Sequence, residues 1–480
     1  MPDIYQELCR LADSDMYPLH MPGHKRNLES TPLKGAFRCD ITEIDGFDNL
    51  HDESGMILEA QKRACDLYGA DETFFSVNGS TAGVLAAVSA AAPEGGVILA
   101  ARGSHRSFYH AAYLRRLRIT YLPSAMIEGL NVFDAVRPEE VKRALDEAKE
   151  AVGAVFITSP TYEGKCCDVL KIADICHERG VMLIVDAAHG AHFGMGEGLP
   201  ENAVSQGADI VIQSLHKTLP SMTQTGLVHI KGNLADRDLV KRFLRIYQSS
   251  SPSYVLMASM DLCIKEMENR RGDFVKKLLE YRQMLEEGTK DCRSVRILSR
   301  SDFEDPSKVL IYSASREMTG QQLYDILREE YALQPEMAGD RHALAIITGW
   351  DKEEGIRRLI MAVRELDARL SDTSLEEPCG SRKVFCLPKE AEPLHAAWDA
   401  GKEPVDLEST GGRIAGEFVN LYPPGIPILV PGEVIDKELI SEIKRYIKEE
   451  RNLQGIEAFE NGANEGIIGN RREIICVKQK

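Results

Sequence analysis

The chain has 480 residues, 43% of them hydrophobic and 28% charged, and a net charge of −17 at neutral pH. That length exceeds what one ordinary core holds, so two or three domains are expected in a globular chain. The acidic balance argues against nucleic-acid binding, which calls for a basic face.

The opening "MPDIYQELCRLADSDMYPLH" shows no basic-then-apolar leader pattern. To about residue 60 the chain is an irregular N-terminal arm (1–60), in which "MPGHKRN" and "DITEIDGFDNLHD" read as ordered loops. "SGMILEAQKRACDLYG" has helical periodicity and a stop at Gly69. A strand, "TFFSV", then meets "NGSTAGVLAAVSAAA", a polar turn opening an Ala-rich helix. "GVILAA" is a strand, followed by a loop and helix in "RGSHRSFYHAAYLRR". "GAVFITS", the amphipathic helix "DVLKIADICHERG" ending at Gly180, and the strands "VMLIVD" and "ADIVIQS" complete the alternation.

Apolar, β-branched strands separated by helices predict parallel βαβ units with both sheet faces covered, and ligands at the strands' carboxyl ends. Residues 61–270 are therefore read as a large α/β domain with a mostly parallel sheet. "GDFVKKLLEYRQMLEEG" predicts a long helix leading into a small α/β domain, 271–370, with strands near "KVLIYS" and "HALAIIT" and a helix near "TGQQLYDILREEY". "DARLSDTSLEEPCGS" reads as a linker. Residues 384–480 form a C-terminal α+β domain containing "YPPGIPILVPGE" and the charged helix "DKELISEIKRYIKEE". Eleven cysteines lie without regular spacing, and Cys166 adjoins Cys167. Reduced thiols and a cytoplasmic location fit this better than a disulfide framework. No apolar run reaches bilayer length, so no membrane partner is expected.

Four groups fall where strands end. Gly79, Ser80 and Thr81, in "NGSTAG", open a helix whose amides and hydroxyls can hold a phosphate, or can serve as an ordinary cap. His105, in "RGSHRS", can offer a flat ring to a planar ligand, or can be a surface residue. Asp186 ends "VMLIVD", and a carboxylate at a buried strand end needs a partner such as a cationic ring nitrogen or a local hydrogen bond. His189 and His192 follow it and read as pocket walls, because no third ligand at usual metal spacing accompanies them. Lys217, in "SLHKTLPSMTQTG", has an apolar strand behind it, which can lower its proton affinity and make it a nucleophile; a solvated lysine is the alternative. Phosphate donors, a ring partner, an acid for a pyridine nitrogen and an amine for an aldehyde are together what pyridoxal 5'-phosphate needs.

"MPGHKRN", "DITEIDGFDNLHD", "YGADETFFSVNGSTAG", "VDAAHGAHFG", "SLHKTLPSMTQTG", "QSSSPSYVLMASMD" and "YPPGIPILVPGE" resemble the prokaryotic ornithine/lysine/arginine decarboxylases of the aspartate-aminotransferase fold, over nearly the whole chain. The resemblance implies decarboxylation of a basic amino acid with pyridoxal 5'-phosphate, arginine to agmatine first, lysine or ornithine next. It implies a Schiff base at Lys217, Asp186 on the pyridine nitrogen and His105 stacked on the ring. Ser80, Thr81, Ser214 and His216 would hold the phosphate, Ala188 would pack under the ring, and Gly79 and His189 would complete the pocket. It also implies active sites at a homodimer interface, with Ser250 or Ser251 offered to the neighbour. Glu417 and Glu43 would face a distal cation of the substrate. With no N-terminal wing domain expected, a dimer or a dimer of dimers is the anticipated assembly. Ala187, Gly103 and Arg106 depart from the family's usual Glu, Asn and Lys, which leaves substrate choice open. Another reaction on the same fold, transamination or aldol cleavage, is the alternative, as is a binding protein without turnover.

Overall fold

Strands rich in Val, Ile and Ala build a seven-stranded sheet in the order Glu72–Ser76, Gly226–Ile230, Ile210–Ser214, Met182–Asp186, Val152–Thr158, Val97–Ala101, Arg118–Leu122. Gly226–Ile230 is antiparallel to both its neighbours, and the other pairings are parallel. The computed structural model describes residues 3–478 apart from 124, 301–303, 371–374, 376–381, 385, 423–424, 450 and 460–470. Successive residues of a strand face opposite sides. Ile98, Phe156, Ile184 and Ile212 enter one core, while Leu99, Val155, Leu183 and Val211 enter the other. Both faces are thus apolar, which is why these strands read as unbroken hydrophobic runs.

The sequence pattern omits two members of this sheet. Arg118–Leu122 is an edge strand of alternating exposure, and Gly226–Ile230 carries His229 in its buried interior. Sequence periodicity begins the long helix at Gly272. The structure begins it at Tyr254, with Ser253 accepting from the Leu256 amide, and bends it at Arg270 before it ends at Gly288. Its first half buries Tyr254, Met257, Met260 and Ile264 against the N-terminal arm and the large sheet.

The second half leads to a four-stranded antiparallel sheet ordered Val295–Ile297, Lys308–Ser313, His342–Ile346, Met337–Ala338. Helices Gly320–Glu329 and Glu353–Arg369 cover it. The expected linker "DARLSDTSLEEPCGS" falls largely outside the described residues. The C-terminal part forms two three-stranded antiparallel sheets around the helix Lys437–Lys448.

Arg102 ties this part to the large sheet. Its guanidinium, fully buried at the end of Val97–Ala101, donates to the Pro427 and Ile428 carbonyls at 2.7 and 3.1 Å and to Glu433 at 3.1 Å. Removing one member of a buried pair leaves the other charge uncompensated. Arg102→Ala is therefore expected to destabilise the protein by about 3–5 kcal/mol, measured by chemical denaturation. A change within error would show that water replaces the contact.

Candidate active site

The strand Ile210–Ser214 is buried along its whole length and ends in a one-turn helix, Leu215–Thr218. That turn carries Lys217 past the carboxyl edge of the sheet. Asp186 ends the adjacent strand, 4% exposed. Its Oδ1 accepts from the Ala188 amide at 3.1 Å. Burial raises the Asp186 pKa, against the pull of the Lys217 charge and the Ala188 amide. Burial lowers the Lys217 pKa, opposed by Asp186 and Glu336. The two groups therefore sense one another in poorly solvated surroundings.

His189 lies against Lys217, with Nε2 3.0 Å from Nζ. Burial first, then Lys217 and Lys308, hold its pKa well below the ordinary imidazole range. His105 caps the helix Arg106–Leu114: its Nδ1 accepts from the Ser107 amide at 3.2 Å. Burial and the Lys217 charge push its pKa down to about 3, so it is a neutral, flat ring. Gly425 lies beside that ring, where a methyl group would sit 3.4 Å from Nε2.

The helix Gly79–Ala91 starts beside Ser214. Its cap residue, Asn78, makes no side-chain cap, so the amides of the first turn are not spent on a side chain. Gly79 enters the helix at φ +73° and donates its amide to the Gln224 carbonyl at 2.9 Å, a conformation that a β-carbon penalises. Ser214 Oγ donates to Ser80 Oγ at 2.8 Å, and Thr81 is exposed in the same turn. The Gly79 amide and the Ser214 hydroxyl are thus engaged within the chain, and the amides and hydroxyls of Ser80 and Thr81 at the helix start are the groups that fit a phosphate. His216 Nδ1 lies 3.1 Å from the Thr225 carbonyl. A neutral His216 therefore turns a bare Nε2 outward, and it donates to an anion only on taking a second proton. Ala188 is buried between Asp186 and His189.

The helix start, a neutral ring, a buried carboxylate and a partly buried amine lie together at the strands' carboxyl ends, and this chemistry fits pyridoxal 5'-phosphate: donors for the phosphate, an anion for a ring nitrogen and an amine for the aldehyde. Among the described residues no cluster of His, Cys, Asp or Glu could hold a metal ion. His192 pairs with the fully buried Asp305 at 2.9 Å.

The other expected residues lie apart. Glu417 accepts from Trp398 Nε1 at 3.0 Å, Lys402 Nζ at 3.3 Å and the Phe418 amide at 3.1 Å. Ser250 and Ser251 are exposed in a turn beside His51. Glu43 adjoins Tyr254, and its Oε1 is buried without a partner among the described residues. No hydrogen bond or ion pair among the described residues joins these four to Lys217, Asp186 or His105.

The departures have physical surroundings. A β-carbon on Gly103 would lie 3.0 Å from the Phe133 ring. Arg106 reaches the C-terminal part, over Tyr422 at 5.7 Å, and its amide donates to the Gly425 carbonyl at 3.2 Å. Ala187 is buried beside a cavity of about 630 Å³ that Cys166, Cys167 and Gly190 also line. Sequence reasoning missed Lys308, Tyr162 and Glu336. Lys308 Nζ is 2.7 Å from His189 Nδ1, and Tyr162 packs on His189 at 4.6 Å while its hydroxyl donates to Glu336. Lys308 opens the strand "KVLIYS" at the end of the charged run "EDPSK", a position that reads as solvated in the sequence.

The first relative, an uncharacterized protein YaaO of Bacillus subtilis, is 34% identical over 465 residues, covering 94% of this chain and 95% of the relative. The arginine decarboxylase of the same organism is 30% identical and is covered, like this chain, over 95% of its length. The crystal structure of the Francisella novicida lysine decarboxylase LdcF superposes with a TM-score of 0.82 at 15% identity, over 100% of this chain and 81% of that one. The family model for the Orn/Lys/Arg decarboxylase major domain matches residues 2–349 and that for the C-terminal domain matches 381–477. With a major domain whose strand ends carry Lys217 and Asp186, and a C-terminal domain whose Gly425 meets His105, the chain belongs to the Orn/Lys/Arg decarboxylase family.

Proposed function

We propose that the protein decarboxylates a basic amino acid with pyridoxal 5'-phosphate, arginine to agmatine first and lysine or ornithine next. The observation that carries the reading is the convergence of Lys217, Asp186 and His105 at the carboxyl edge of the sheet, beside an uncapped helix start. The bound cofactor supplies an electron sink for the pair left as carbon dioxide departs. The chain's residues do the rest. Gly79, Ser80, Thr81 and Ser214 fix the phosphate end. His105 would offer its flat, neutral ring to the cofactor's ring. Asp186 holds a proton on the ring nitrogen, and Lys217 holds the reacting end. Loss of the carboxylate consumes one proton, so a group near Lys217 must deliver one.

Arginine is placed first because an arginine decarboxylase is among the relatives that match end to end. The exposed Ser249–Ser251 turn supports a further reading, that two copies of the chain share their sites and Ser250 or Ser251 serves the neighbour. Glu43, whose buried carboxylate oxygen lacks a partner among the described residues, then suits a distal cation better than Glu417, whose carboxylate is already engaged. Among the described residues no helix is long and apolar enough to cross a membrane.

The test is incubation of the loaded enzyme with arginine, lysine and ornithine, with mass spectrometry of the products. The expected result is the amine and one carbon dioxide per turnover, fastest with arginine. Keto acid without carbon dioxide would replace this reading by transamination.

A further inference from the structure

A cavity of about 530 Å³ lies where the small sheet, the paired strands Ala125–Ile127 and Val132–Phe133, and the C-terminal part meet. Lys217, Asp186 and His105 are not among its lining residues. Leu130, Val132, Met337 and Ile426 give it apolar walls. Six carboxylates and three cations complete its described lining. Two of those cations are already spent: Arg445 and Arg451 donate to Asp340 at 2.7 and 3.4 Å. The third, Lys383, is exposed.

Two polar groups in this lining are buried without a partner. Glu163 is 7% exposed. Its carboxylate takes its own amide and no hydrogen bond or ion pair from another residue among the described residues. Lys308 is the one cation that acts on it, and the Lys308 amine is turned to His189 Nδ1 at 2.7 Å. Burial, against those two influences, pushes the Glu163 pKa up to about 7. A carboxylate so placed calls for a counter-charge. His342 is fully buried, and neither of its ring nitrogens has a partner. Burial pushes its pKa down to about 4. The ring is therefore neutral, and one nitrogen is a bare acceptor in either tautomer. Gly339 seats that ring, because a β-carbon there would overlap Cε1.

The two groups belong to opposite ends of one strand. Glu163 adjoins Gly164, where a β-carbon would meet the Lys308 Cγ at 2.8 Å. His342 pairs with Tyr312, four residues further along Lys308–Ser313. Four residues of strand span about 13 Å. A small cation reaches one of these ends, whereas a linear chain bearing several ammonium groups reaches both.

We propose that this cavity binds a linear aliphatic polyamine, with one ammonium on the Glu163 carboxylate, the methylene chain along the apolar walls and another ammonium donating to the bare nitrogen of His342. No covalent bond is made or broken. Glu163 lies between Tyr162, which packs on His189, and Gly164, which seats Lys308, so the occupant adjoins a wall of the active site. Binding does not rest on the function proposed above; a role in sensing the amine product does.

The test is titration calorimetry of spermidine into the protein, before and after borohydride fixes the cofactor on Lys217. One site per chain is expected, with the same affinity in both states. n-Butylamine, which has a single charge, should bind at least about tenfold more weakly. Glu163→Gln keeps the shape and removes the charge, and should weaken spermidine at least about tenfold; His342→Leu should weaken it about fivefold. Equal affinity in the wild type and the folded variants would reduce the binding to attraction by an acidic surface and overturn the proposal. Equal binding of spermidine and n-butylamine would overturn it without any variant. Binding that vanishes once the cofactor is fixed would move the amine to the active site and overturn it too. Binding by a protein that releases no carbon dioxide would keep the cavity site and remove the decarboxylase reading alone.

Discussion

Lys217→Ala is expected to lower carbon dioxide release by at least about a thousandfold, and borohydride treatment with pyridoxal phosphate is expected to add the cofactor's mass at residue 217 of the wild type alone. Lys217→Arg should lose as much. A guanidinium keeps the charge but does not deprotonate in a protein and so cannot act as the nucleophile. The pair of variants separates the amine's chemistry from its charge. The loss in the Ala variant should not come from unfolding. Burial lowers the Lys217 pKa, so the folded state binds fewer protons here than the unfolded chain does. Such a group makes stability rise with pH through the window between its lowered and ordinary values. Below the ordinary value the ammonium is a cost to the fold, and alanine removes that cost. The Ala variant should accordingly melt no lower than the wild type at neutral pH. Full activity in either variant would dismiss Lys217 as the reacting amine. A thermal midpoint well below the wild type would move its role to structure.

The groups on the ends of apolar strands were the legible part of this site. Asp186 and Lys217 each interrupt a hydrophobic run with a charge, and a charge there must have a use because its burial is costly. The helix start at Gly79 was legible for a similar reason, since a glycine and two hydroxyl residues follow a strand. Lys308 gave no comparable signal. It opens a strand of another domain, 119 residues from His189, and a lysine at a strand's first position reads as solvated. Only the packing of the small sheet against the Tyr162–Gly164 loop shows it to be buried. The same limit hid Arg102: the residues it clamps, Pro427, Ile428 and Glu433, lie far along the chain. Sheet order was out of reach for a related reason. Periodicity reports that a strand is buried on two faces but not which neighbours it has, and it was weakest for the edge strand Arg118–Leu122. The strand "GLVHI", which the sequence reading leaves out, carries His229 in its buried interior. That imidazole is satisfied inside the sheet by Thr73 Oγ1 at 2.8 Å and Gln213 Oε1 at 3.0 Å.

Asp186→Asn should move activity and stability in opposite directions. The side chain keeps its shape and can still accept from the Ala188 amide, so the cleft is preserved. What disappears is the negative charge that holds a proton on a ring nitrogen. An opposite charge at close range shifts such a pKa by about 1–3 units, and removing a preorganised electrostatic partner costs about 10²–10³ in turnover. A loss of kcat in that range is expected, with KM little changed, because the charge acts on the departing electron pair and not on substrate capture. The stability sign runs the other way. Burial raises the Asp186 pKa in the cofactor-free protein, so the folded state binds more protons than the unfolded state between the ordinary and the raised value. There stability falls as pH rises, and above the raised value the full cost of an ionised buried carboxylate remains. Asparagine carries no such cost. The cofactor-free variant should therefore equal the wild type at low pH and exceed it in thermal midpoint near neutrality. Bound cofactor should shrink the difference, because the ring cation compensates the carboxylate in the wild type only. A variant that keeps its kcat would remove Asp186 from the ring nitrogen. One that melts lower than the wild type at neutral pH would show that the carboxylate supports the fold through a partner other than Lys217.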